Sequence, residues 1–191
     1  MAFERRLPRW AAAILGIAQL ALTAAIIGLE FGSFYYDVAH GTIWIGFWAG
    51  LVFIKTSLMM LCFMCCCRGR CFATYILICN IFSGALACVV IYFDSYFINN
   101  LCRCYLGENL CCALHDLSSI NSNYGSIVTR CLKITMNGIQ SVPDSCPSSP
   151  PTSKVVYLKA QLGCAAGMLA VCSINVLVYI FACFGICFGH D

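Results

Sequence analysis

Four apolar stretches set the terms for this chain: Trp10 to Leu29, Ile43 to Met64, Phe72 to Phe93 and Leu158 to Phe188. Each is long enough to cross a hydrocarbon core of about 30 Å as a helix, which takes roughly 20 apolar residues. With 61% hydrophobic and 10% charged residues, too little polar sequence remains to coat a soluble domain. The reading is an all-α membrane protein, a four-transmembrane-helix bundle with a disulfide-linked large outer loop between helices three and four. Its segments are a cytoplasmic N-terminus (1–9), spans over 10–29, 43–64, 72–93 and 158–188, a short outer loop (30–42), a cytoplasmic turn (65–71), a large outer loop (94–157) and a cytoplasmic C-terminus (189–191). The first span starts basic, like a signal peptide. It is too long for one and no small-x-small cleavage site precedes Glu30, so it reads as a retained helix.

The placement of charge sets the expected orientation. Arg5, Arg6 and Arg9 precede the first span, and Arg68 and Arg70 fill the connection from the second to the third. The short loop from Glu30 to Thr42 has no Lys or Arg. The positive-inside rule then puts both termini in the cytoplasm of a multi-pass protein, with the plasma membrane as the expected location. Such short ends leave no room for a cytoplasmic catalytic or signalling domain.

Orientation sorts the 17 cysteines. Cys102, Cys104, Cys111, Cys112, Cys131 and Cys146 fall in the large outer loop, where an even number in an oxidising compartment predicts disulfides. The pairing stays open. Cys65, Cys66, Cys67 and Cys71 cluster beside Arg68 and Arg70 on the reducing side, as S-acylation sites commonly do. Cys62, Cys183 and Cys187 belong to the same class by position; Cys79, Cys88, Cys164 and Cys172 read as small packing residues.

Inside the membrane, Lys55 falls near the bilayer centre, where a charge is costly and normally faces protein or water. Counting 1.5 Å per residue from the span ends brings Gln19, Asn80 and Asn175 to a similar depth. One reading of this polar layer is an ion or substrate pathway. The other is a hydrogen-bonded layer that fixes helix register. The second span also carries Gly46-xxx-Gly50, with Ser57 further along the same face, a close-packing pattern. At 100° per residue Lys55 points away from Gly46 and in line with Trp48. That span therefore has two faces that want protein neighbours, one for the bundle and one for another subunit or a partner.

Enzyme chemistry has little to stand on. His40, His115 and His190 are scattered, and Cys111-Cys112-His115-Asp116 lacks the separated ligand pairs of a zinc site. No phosphate loop, nucleophile elbow or Asn-x-Ser/Thr sequon occurs. No catalytic residue, metal ligand, cofactor or nucleic-acid partner is expected.

Leu15-Gly16-Ile17-Ala18-Gln19-Leu20 resembles the LGxxQ signature of the membrane-spanning four-domain, B-lymphocyte-antigen-like tetraspan superfamily. Phe47-Trp48-Ala49-Gly50-Leu51-Val52, followed by Met60-Leu61-Cys62, is similar to the second helix of the sarcospan family within it. The layout of loops agrees. The resemblance implies a non-enzymatic scaffold of the dystrophin-associated glycoprotein complex, touching sarcoglycan-like membrane proteins and membrane lipid and supporting cell–matrix adhesion. A homo-oligomer is a further expected partner. An ion-channel or receptor-associated subunit of the same superfamily is the alternative. A tetraspanin-like organiser is another, since Cys111-Cys112 and Pro143-Asp144-Ser145-Cys146 resemble tetraspanin CCG and PxSC elements, with Ala113 in place of the glycine. The superfamily's layout does not explain Lys55.

Overall fold

A computed structural model of the chain describes residues 9–36, 44–65, 70–99 and 152–187. They form four α-helices: α1 (Arg9–Tyr36), α2 (Ile45–Cys65), α3 (Arg70–Asn99) and α4 (Thr152–Cys187). All four are long and apolar enough to cross a membrane, as expected for a multi-pass membrane protein. Their outward faces suit lipid. Ile14, Ile17, Leu51, Ile78, Phe82 and Phe181 are exposed, where a soluble protein would place charge.

The helices run up and down around a square. α1 packs on α2 and α4, and α3 packs on α4 and α2. The last residues of α1 and α3 and the first of α2 and α4 lie at one end of the bundle, called here the loop end. The first residues of α1 and α3 and the last of α2 and α4 lie at the other, the turn end.

Apolar side chains fill two levels of the interior. Ala12, Met60, Phe63, Ala73, Ile76 and Ala182 cluster toward the turn end. Ile26, Ala49, Phe53, Val90, Ala165 and Met168 belong to a second cluster toward the loop end. Small residues bring α1 and α2 close. A Cβ on Gly50 would stand 2.5 Å from Ile27 Cγ1, and one on Gly16 would stand 3.3 Å from the Met60 Cβ. The entry to α2 is backbone-specified. Trp44 sits at φ 58°, rare for a bulky residue, and its carbonyl accepts from the Phe47 and Trp48 amides at 3.1 Å each. Its ring meets Phe34 edge-on at 4.9 Å, which seats the residue in that conformation.

The helices outrun the apolar spans at the loop end. The short loop was expected from residue 30, yet α1 continues through Glu30 to Tyr36. The large loop was expected from residue 94, yet α3 continues through Asp94 to Asn99. Residues 152–157, expected in the large outer loop, already belong to α4. A charge ends a run of hydropathy but does not end a helix. Here the charges are buried, Glu30 at 7% exposure and Asp94 at 0%, so the backbone continues past them.

Candidate functional site

The polar side chains inside the bundle collect at two levels. The first lies between the two apolar clusters. Gln19 on α1 donates through Nε2 to Asn80 Oδ1 on α3 at 2.7 Å, and Asn175 Nδ2 on α4 donates to the same oxygen at 3.2 Å. Asn80 in turn donates through Nδ2 to the Ile76 carbonyl at 3.0 Å, one turn back along α3. Gln19 Nε2 also lies 3.5 Å from Cys172 Sγ. Thr23 Oγ1 donates to the Gln19 carbonyl at 2.6 Å, so its hydroxyl is spent on its own helix. Of the side-chain atoms in this group only Gln19 Oε1 is buried without a partner. The arrangement ties three helices through one acceptor and fixes their heights relative to one another.

Lys55 does not join that layer. It lies on the exposed face of α2 with Trp48, Leu51 and Leu58, and its Nζ sits 5.8 Å from the centre of the Tyr75 ring on α3. Of the two placements the sequence left open for Lys55, the polar layer or a second face turned from the bundle, it takes the second, with a cation–π contact across the outside of the α2–α3 seam. The contribution of α2 to the interior is instead Thr56, one residue on and about 100° round the helix. Its hydroxyl shares a hydrogen bond of 2.8 Å with Ser83 of α3 and donates to the Val52 carbonyl at 3.1 Å. Depth in the membrane pointed to Lys55. Direction, read from the Gly46–Gly50–Ser57 face, was the signal for Thr56. That face is interior: Ser57 is fully buried and bonds to the Phe53 carbonyl at 2.8 Å.

The second polar level is at the loop end; of its residues only Gly46 stood out in the sequence, as a packing residue. Gln161 of α4 donates through Nε2 to Glu30 Oε2 of α1 at 2.7 Å. Gly46 of α2 faces the pair, and a Cβ there would stand 2.7 Å from Glu30 Oε2. Asp94 of α3 is fully buried, and neither of its oxygens has a hydrogen-bond partner. Gln161 Oε1 is in the same condition. Aromatic rings crowd this end of the bundle: Phe31, Phe34, Trp44 and Phe47 on α1 and α2, and Tyr92, Phe93, Tyr96 and Phe97 on α3. Tyr and Trp at this height suit a membrane–water boundary.

The remaining expected sites fall largely elsewhere. Cys102, Cys104, Cys111, Cys112, Cys131 and Cys146 lie outside the described residues, as do Cys66 and Cys67. Cys65 is the last residue of α2, and its side chain is likewise outside the description. Cys71 is exposed and free at the start of α3. Among the described residues no disulfide forms, and Cys62, Cys79, Cys88, Cys164, Cys172 and Cys183 are also free thiols. No three His, Cys, Asp or Glu side chains group as a metal site among the described residues.

Comparison with protein-family models, with curated proteins and with solved structures finds no match to this chain.

Proposed function

We propose that this protein is a non-enzymatic tetraspan scaffold that organises or stabilises a complex of other integral membrane proteins. The observation that carries the reading is the outward face of Lys55. A cation in the middle of a membrane-spanning helix, turned away from the bundle with one aromatic ring beside it, calls for a further partner in the membrane. An acidic or carbonyl-rich helix of another protein would supply it. The two glycines of α2, by contrast, are used within the bundle, against α1 and against the Glu30–Gln161 pair.

The finer form of the proposal is a sarcospan-like member of the membrane-spanning four-domain superfamily, acting in a sarcoglycan-type adhesion complex at the plasma membrane. Both termini are then cytoplasmic, the six loop cysteines are paired, and the Cys65–Cys67 cluster is acylated. The resemblance of helices one and two and the arginine placement support it.

Lys55→Met tests the function. The substitution keeps side-chain length and removes the charge. Affinity purification in mild detergent should recover the same set of co-purifying membrane proteins from wild type in repeated trials and lose at least one from the variant. An unchanged set, together with altered ion flux in reconstituted bilayers, would replace the scaffold with the channel-subunit reading.

A further inference from the structure

The loop-end layer is not used by the scaffold reading and stands independently of it. Glu30, Gln161 and Gly46 meet directly, and Asp94 is near enough to Glu30 for the two charges to interact; each lies about one helical turn from a residue of the loop-end apolar cluster. Glu30 follows Ile26, Asp94 follows Val90, Gln161 precedes Ala165 and Gly46 precedes Ala49. All four helices thus meet there, contributing two carboxylates, one carboxamide and one residue with no side chain.

Three oxygens at this height are buried without a donor: Asp94 Oδ1, Asp94 Oδ2 and Gln161 Oε1. The carboxamide is held in place because its Nε2 is committed to Glu30 Oε2 at 2.7 Å. Its unpartnered oxygen therefore belongs to the same layer, and Gln161 is 0% exposed. The absence of a Cβ on Gly46 lets the Glu30 and Gln161 heads occupy that corner. Of the two lysines described on α4, Lys159 is exposed on its outer face and Lys154 is buried two turns further toward the loop end, with Leu158 between. Phe97 is buried about one turn beyond Asp94 on α3.

Buried carboxyl groups are protonated, or as carboxylates are paired, hydrogen-bonded or bound to metal. The donors here are all oxygens, which suits hard cations and not zinc or copper. Calcium accepts six to eight oxygens in flexible geometry, including bidentate carboxylates and Gln carbonyls. Magnesium demands a stricter octahedron and keeps several waters. Two carboxylates match a divalent charge. Asp94 is five residues from the end of α3 and Glu30 six from the end of α1, about 8–9 Å at 1.5 Å per residue. An ion from the aqueous phase needs only to pass the headgroup level.

We propose that Glu30, Asp94 and Gln161 bind a divalent cation of the calcium class, which clamps α1, α3 and α4 together at the loop end. The test uses the full chain in lipid nanodiscs, stripped with a chelator and then given calcium chloride, magnesium chloride or sodium chloride at matched ionic strength. Calcium should raise the melting temperature by several degrees, magnesium by less and sodium not at all. Terbium should bind with sensitised emission and be displaced by calcium. Asp94→Asn should abolish the calcium-dependent shift and weaken calcium competition on the order of tenfold or more. Glu30→Gln should do the same, and Lys55→Met should leave both readings unchanged. Should Asp94→Asn not accumulate, the wild-type measurements and Gln161→Met decide. A wild type whose melting ignores calcium overturns the proposal. So does an equal shift in Asp94→Asn and Gln161→Met, which would place the ion elsewhere on the chain.

Discussion

The two buried polar layers of this bundle lie about 16 Å apart along α1, eleven residues at 1.5 Å each from Gln19 to Glu30, and they are built on opposite principles. The middle layer is neutral, and its amides bond to one another: one Asn80 oxygen receives both Gln19 and Asn175, and a single Gln19 oxygen is left over. The loop-end layer carries two carboxylates, and three of its buried oxygens have no donor. A layer that closes on itself explains helix register and nothing more. A layer left open in this way needs a donor or a cation that the described residues do not supply to Asp94 and the Gln161 oxygen. Depth explains the difference. In the hydrocarbon centre a bare carboxylate is prohibitive, so only amides and hydroxyls are tolerated. Near the helix ends a charge can be met from the aqueous side.

The largest effect that would sharpen this contrast is Gly46→Val. The added carbons fall within contact of Glu30 Oε2 and must push the Glu30–Gln161 pair apart. A loss of about 3 kcal/mol is expected from overpacking, read as a large fall in thermal stability in detergent. Next comes Asn80→Leu. It removes the acceptor shared by two helices and leaves the Gln19 and Asn175 amide donors unpaired, so about 1–2 kcal/mol should be lost. Asp94→Asn should do the reverse in chelator-treated protein. It removes a charge that has no donor, so melting should stay the same or rise. If instead this variant melts lower than Asn80→Leu under those conditions, the two layers are alike and the comparison fails. The smallest effect on bundle stability belongs to Lys55→Met, whose melting should match wild type, since Lys55 lies outside both layers.

Hydropathy made the four helices readable, because the membrane demands runs of apolar residues whatever the fold. Counting from span ends also brought Gln19, Asn80 and Asn175 to one depth. Depth put Lys55 with them; direction, at 100° per residue, set it opposite Gly46, and its neighbour Thr56 is the residue turned inward. The loop-end layer was hidden for a different reason. Glu30 and Asp94 terminate apolar runs, so they read as the first residues of loops. Their burial depends on which helices are neighbours. That α1 lies beside α4, and so meets Gln161, is a fact of the assembled square that no local pattern encodes.

The bond between Glu30 and Gln161 joins residues 131 positions apart, and this separation bears on biogenesis. A ribosome delivers α1 to the membrane long before α4 exists. During that interval Gln19 can already meet Asn80 of α3, but the Glu30 carboxyl has no Gln161 to face. The first helix must therefore wait, near the aqueous edge or beside a chaperone, for the last one to be made. Completion of the bundle is then a late, all-at-once event in synthesis. A nascent chain that stops before α4 presents a membrane-embedded acid without its Gln161 amide, a signal that a surveillance system in the bilayer can read.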